Sequence, residues 1–108
     1  MNYSDLTEKY FEAFSSMNIE KLDEYYDDQI SLRDWEIDLK GKSSVLNANK
    51  LFFESINEIG IKIISIYQNQ NTLAAEIEIT IDNNEKLLVI DLICFKKKKI
   101  VSIKAFKG

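Results

Sequence analysis

Histidine and proline are absent from this 108-residue chain, cysteine occurs once, and glycine occurs three times. Without histidine there can be no Ser–His or Cys–His nucleophile pair, and most zinc and iron sites lose their usual ligand. The glycines, Gly41, Gly60 and Gly108, are isolated, so no Gly-rich phosphate loop exists. Cys94 has no partner within the chain, which suits a reducing cytoplasm, and its apolar neighbours mark it as a small hydrophobe. No apolar stretch is long enough to span a bilayer, and Met1 to Asp5 lack the profile of a signal peptide. A cytoplasmic location is therefore expected. A net charge of −4 gives no electrostatic case for nucleic acid or an anionic membrane. No metal and no cofactor is expected. Chemistry, if there is any, falls to carboxylates, tyrosines and lysines.

What is present is organised around one segment, Lys86 to Phe95. Side chains alternate along a strand, so Leu87, Val89, Asp91, Ile93 and Phe95 share one face, and Leu88, Ile90, Leu92 and Cys94 share the other. Two apolar faces place this strand in the middle of a sheet covered on both sides. A carboxyl group there is costly unless it is neutral, paired or hydrogen-bonded. Asp91 is thus the first candidate for a functional group.

The rest of the chain frames that strand. Asp5 to Met17 reads as a helix capped by Asp5, with Glu8 completing a capping box. Asn18 caps a second helix, Ile19 to about Asp28, whose inner face includes Leu22, Tyr25 and Tyr26. Ile30 to Leu39 is strand-like but changes phase near Arg33-Asp34-Trp35, which predicts a bulge or bend. A serine-capped third helix follows Gly41 and runs to about Ile59, with Val45, Ala48, Leu51 and Phe52 inward and Gly60 as its stop. Four strands complete the chain, joined by short polar turns at Gln68–Asn71, Asp82–Glu85 and Lys96–Lys99. Helices followed by a run of hairpins specify a single α+β domain over residues 1–108. Three helices can cover only one face of a curved sheet. The other keeps Ile64, Ile66, Leu88, Ile90 and Leu92, which predicts a homodimer through that face.

Three polar residues lie in this apolar frame: Tyr10 on the stripe of the first helix, Asp34 at the bend, and Asp91. Each has an ordinary explanation, respectively packing, a turn acceptor, and pairing with a lysine. Together they also suit one chemistry. Removing a proton next to a carbonyl needs a base and donors for the resulting oxyanion. Apolar burial keeps a carboxyl protonated, so Asp91 suits the donor role beside Tyr10, and Asp34 suits the base. Asp27 and Asp28 lack the further spacing of a metal site. The four lysines from Lys96 read as a solvated turn.

The order of these segments resembles the cone-shaped superfamily of nuclear transport factor two, SnoaL-like cyclases and ketosteroid isomerase. The resemblance is carried by Tyr10-Phe11-Glu12-Ala13-Phe14, Asn18-Ile19-Glu20-Lys21-Leu22, Tyr26-Asp27-Asp28, the bent strand, Gly41 before a helix with Phe52-Phe53, and four final strands. It implies a cone-shaped α+β barrel, three N-terminal helices on a strongly curved, mostly antiparallel sheet. In ketosteroid isomerase a tyrosine and a neutral aspartic acid hold the oxyanion beside an aspartate base. The matching positions here are Tyr10, Asp91 and Asp34. Trp35 replaces the proline that usually follows the base, and lysines replace the glycine turn before the last strand. The resemblance implies a small apolar or carbonyl-containing ligand, lined by Phe14, Tyr26, Trp35 and Phe52, and cofactor-free proton transfer of isomerase, cyclase or dehydratase type. The second reading is a non-catalytic ligand-binding or protein-interaction module on the same fold.

Overall fold

The computed structural model describes residues 2–108. Its elements are α1 (Tyr3–Ser15), α2 (Ile19–Tyr25), β1 (Tyr26–Arg33), β2 (Asp38–Lys40), α3 (Lys42–Glu54), β3 (Ile59–Asn69), β4 (Thr72–Ile81), β5 (Glu85–Lys96) and β6 (Lys99–Lys107). They form the expected α+β cone: three helices against one curved sheet of six strands in the order β2-β1-β6-β5-β4-β3. The run from β3 to β6 is an antiparallel meander, and only the β1–β6 pair is parallel.

The helix ends differ from the sequence expectation by a few residues, each for a local reason. Asn2 rather than Asp5 caps α1: its Oδ1 accepts the Asp5 backbone N–H at 2.8 Å. The helix closes with Met17 in the left-handed region at φ 54, while the N–H of Asn18 reaches Ala13 O and that of Met17 reaches Phe14 O. This pair of bonds satisfies two terminal carbonyls. Asn18 then caps α2 through Oδ1 and the Lys21 N–H, so one residue ends the first helix and starts the second. Tyr26 opens β1, so α2 ends at Tyr25 and not near Asp28. Gly41, at φ 92, precedes α3, and no serine caps it. Ser55 closes α3, where its hydroxyl donates to Phe52 O. Gly60 is an ordinary β3 residue, because Asp82 Oδ1 pins the Asn57 and Glu58 N–H groups and has already turned the chain.

The bulge or bend predicted near Asp34 is a tight bend that reverses the chain fully. β1 ends at Arg33, residues 34–37 turn, and β2 pairs back antiparallel. A bulge does occur in β3, between Ile63 and Ser65. It shifts the phase so that Ile66 lies opposite Ala75 and packs on the core, contrary to its expected place on the outer face. The Lys96–Lys99 run is a hairpin turn in which Lys97 and Lys98 take positive φ.

β5 is a central strand, as its two apolar faces require. Val89, Ile93 and Phe95 are completely buried on the helix side, together with Tyr26, Ile30, Leu73 and Ile77. On the opposite side Leu88, Ile90 and Phe106 are 47%, 40% and 56% exposed.

Candidate functional site

A cavity of about 530 Å³ opens between the helices and the concave face of the sheet. Its position follows from side-chain size. In register with Asp91 stand Ala75 on β4 and Ala105 on β6, whereas the flanking rows hold Ile77 beside Val89 and Leu73 and Ile103 beside Ile93. Of the two alanines Ala105 lines the cavity, and beside the carboxyl it leaves a hollow that a branched side chain would close. Replacing Ala105 by leucine should fill this hollow and lower affinity for an apolar ligand at least about tenfold by Trp35 fluorescence titration, with the fold retained.

Tyr10, Asp34 and Asp91 all line this cavity, and so do Phe14, Trp35 and Phe52. They come from α1, the β1–β2 turn, β5 and α3, so distant parts of the chain meet there. Asp91 is only 7% exposed and has no hydrogen-bond partner among the described residues. Burial pushes its pKa up from 3.8 to about 7, and the charge of Asp34 adds to the rise. No lysine neutralises it: among the described residues, the side-chain salt bridges join Lys21 to Glu24 and Lys42 to Asp23 and Asp28. Burial likewise pushes the Tyr10 hydroxyl well above the usual tyrosine range, with Tyr26 and Asp91 contributing. At neutral pH Tyr10 keeps its proton and is a hydrogen-bond donor, and burial holds the proton on Asp91 far above the usual carboxylate range.

Asp34 has two roles at once. Its Oδ1 accepts the Glu36 and Ile37 N–H groups at 2.7 and 2.8 Å, which forms the turn. Its Oδ2 has no partner among the described residues and is available to the cavity. The structural explanation of this aspartate and its cavity position therefore hold together. Next to it Trp35 is 43% exposed at the rim, with Lys107 Nζ 5.8 Å above its ring. Phe14 packs on Phe52 and edge-on to Phe53, with centroids 6.2 and 4.9 Å apart, and so shapes the helix side.

Tyr26 is not on the cavity wall. It is buried behind it and donates its hydroxyl to Asn49 Oδ1 at 2.7 Å. Sequence reading missed Asn49, which lines the cavity and is 5% exposed. The signal was a polar residue between Val45 and Phe53 at a spacing of four, on the buried stripe of α3. Asp27 and Asp28 are accounted for locally: Asp27 accepts the Gln29 N–H and Asp28 pairs with Lys42.

A fold and cavity of this kind define a class, the cone-shaped α+β proteins with a cavity on the concave face of the sheet. Residues 7–103 match the family model described as a SnoaL-like domain, and the chain belongs to that family. Among solved structures, it resembles an NTF2-like protein of unknown function from Cytophaga hutchinsonii, with a TM-score of 0.86 at 12% identity over 100% of this chain and 91% of that one. It also resembles a candidate ketosteroid isomerase from Kribbella flavida, with a TM-score of 0.84 at 13% identity over 96% of this chain and 76% of that one. An LEH-like epoxide hydrolase from M. tuberculosis superposes with a TM-score of 0.86 at 10% identity, over 96% of this chain and 80% of that one. No curated protein matches the sequence. At such identities the neighbours establish the shared fold, and function has to be argued from the site. No helix among the described residues is long and apolar enough to cross a membrane.

Proposed function

We propose that this protein binds a small apolar carbonyl compound in the cavity and moves a proton next to that carbonyl without a cofactor. The observation that carries the reading is the convergence of Tyr10, Asp34 and Asp91 on one apolar cavity, with Asp91 unpaired and held partly protonated at neutral pH. In the proposed step the free oxygen of Asp34 takes a proton from the carbon next to the carbonyl. The electron pair of that C–H bond forms the enolate, whose oxygen accepts hydrogen bonds from the Tyr10 hydroxyl and the protonated Asp91 carboxyl. Asp34 then returns the proton to a different carbon. Atoms and charge balance within the substrate and Asp34. The test is turnover of a panel of enolisable ketones, headed by a β,γ-unsaturated one. Isomerisation by the wild-type protein is expected, and no turnover across the panel would reject the enzymatic reading.

A non-catalytic module on the same fold is the second reading. It is favoured by the Oδ1 of Asp34 being committed to backbone N–H groups and by the apolar outer sheet face. That face is also where we place a homodimer contact, centred on Leu88, Ile90 and Phe106. Ile90→Glu, which puts a charge at the centre of the patch, should convert a dimer to a monomer in sedimentation velocity. A wild-type protein that sediments as a monomer at high concentration would remove the dimer.

A further inference from the structure

Asn49 does not belong to the three-residue arrangement above, yet it is the most buried amide side chain on the cavity wall. Its position on α3 directs it at the sheet, between Val45 and Phe53. Its Oδ1 is occupied by the Tyr26 hydroxyl at 2.7 Å. Tyr26 is fully buried and sits at the start of β1, so the amide is locked with its oxygen turned to the protein. The Nδ2 group has no acceptor among the described residues, and since no sealed side-chain nitrogen or oxygen there lacks a partner, Nδ2 is open to space. Asn49 is 5% exposed and lines the cavity, which is where a ligand acceptor can meet its amide nitrogen. A buried N–H donor without a partner is costly unless a ligand or water fills it.

We infer that Asn49 is a substrate-binding residue that donates from Nδ2 to an acceptor oxygen of the ligand, and that Tyr26 is the positioning residue that fixes its amide. The inference rests on the reading of this cavity as a ligand site, and it narrows the ligand class. Tyr10, protonated Asp91 and Asn49 supply donors from three elements, so the ligand presents an oxygen with more than one lone pair available: a carbonyl, enolate or phenolate. An apolar compound of the same size without that oxygen leaves the Asn49 and Asp91 donors unpaired and is disfavoured, while Tyr10 falls back on Tyr26.

The test compares 4-bromophenol with 4-bromotoluene, near-isosteres that differ in the oxygen, by quenching of Trp35 fluorescence. Wild type is expected to prefer 4-bromophenol. Asn49→Leu should weaken 4-bromophenol about tenfold or more and leave 4-bromotoluene within about twofold. Tyr26→Phe should weaken the phenol by a smaller factor, since the amide is kept but no longer held. In 15N-labelled wild type, the Asn49 side-chain amide resonance should move on adding the phenol and stay in place with the toluene. This last measurement also decides the matter if Asn49→Leu does not fold. An unmoved amide, an equal loss of both compounds in Asn49→Leu, or no wild-type preference for the phenol would overturn the donor role. Tyr26→Phe within about twofold of wild type would overturn the positioning role. Turnover does not enter the experiment, so a protein that binds the phenol through Asn49 and isomerises no ketone refutes the enzymatic reading alone.

Discussion

Asp91→Asn should be more stable than the wild-type protein above pH 7, by roughly 4 kcal/mol once the wild-type carboxyl is ionised, and the two should converge near pH 4. The folded carboxyl holds its proton up to about pH 7, while the unfolded one releases it near 3.8. Between those values the folded state binds more protons, so wild-type stability falls as pH rises, by about 1.4 kcal/mol per unit. Above pH 7 both states are ionised and the loss is complete. Asparagine keeps the shape, removes the charge and removes this slope. Urea unfolding at pH 4, 6 and 8 measures it. A wild-type protein whose midpoint does not fall between pH 4 and 8 relative to the variant would show that the carboxyl is hydrated or paired in solution. A costly group retained in the most apolar strand is the pattern of a site whose purpose is not stability.

Asp34→Asn should lower kcat for an enolisable ketone by about 10²- to 10⁴-fold, the usual contribution of a general base. Affinity for 4-bromophenol should hardly change, because the donors for the oxygen lie elsewhere. The asparagine Oδ1 can still accept the Glu36 and Ile37 N–H groups, so the turn and the thermal midpoint should be retained. The separation of kcat from ligand affinity distinguishes a base from a turn residue. A variant that keeps wild-type kcat would leave Asp34 with its structural role only.

The relation between sequence and site differs from residue to residue. β5 was legible because a strand with two oily faces has one place in a sheet, and its alternation put Asp91 on the helix side. The cone itself was legible through the order of helices and hairpins, and the same pattern brought Tyr10, Asp34 and Asp91 to one cavity. Local hydrogen bonds decided what the pattern did not. The Asp34 acceptor bonds made the expected bulge or bend a chain reversal, and Ser55 closed α3 ahead of Gly60. The bulge in β3 is marked only by the adjacent Ile63 and Ile64, where the alternation changes phase, and it moved Ile66 to the core side. Tyr26 fits a helix stripe as well as a strand start, and its role appears only with its partner 23 residues away. Asn49 was hidden because a polar residue in a helix is ordinarily assigned to solvent.

The account depends most on the state of one proton, that of the Asp91 carboxyl facing the cavity. Its 13C resonance, followed in labelled protein from pH 3 to pH 10, measures that state directly. The account predicts a midpoint about pH 7, moved upward when a phenol occupies the cavity. A midpoint near 4 that no ligand shifts would contradict it.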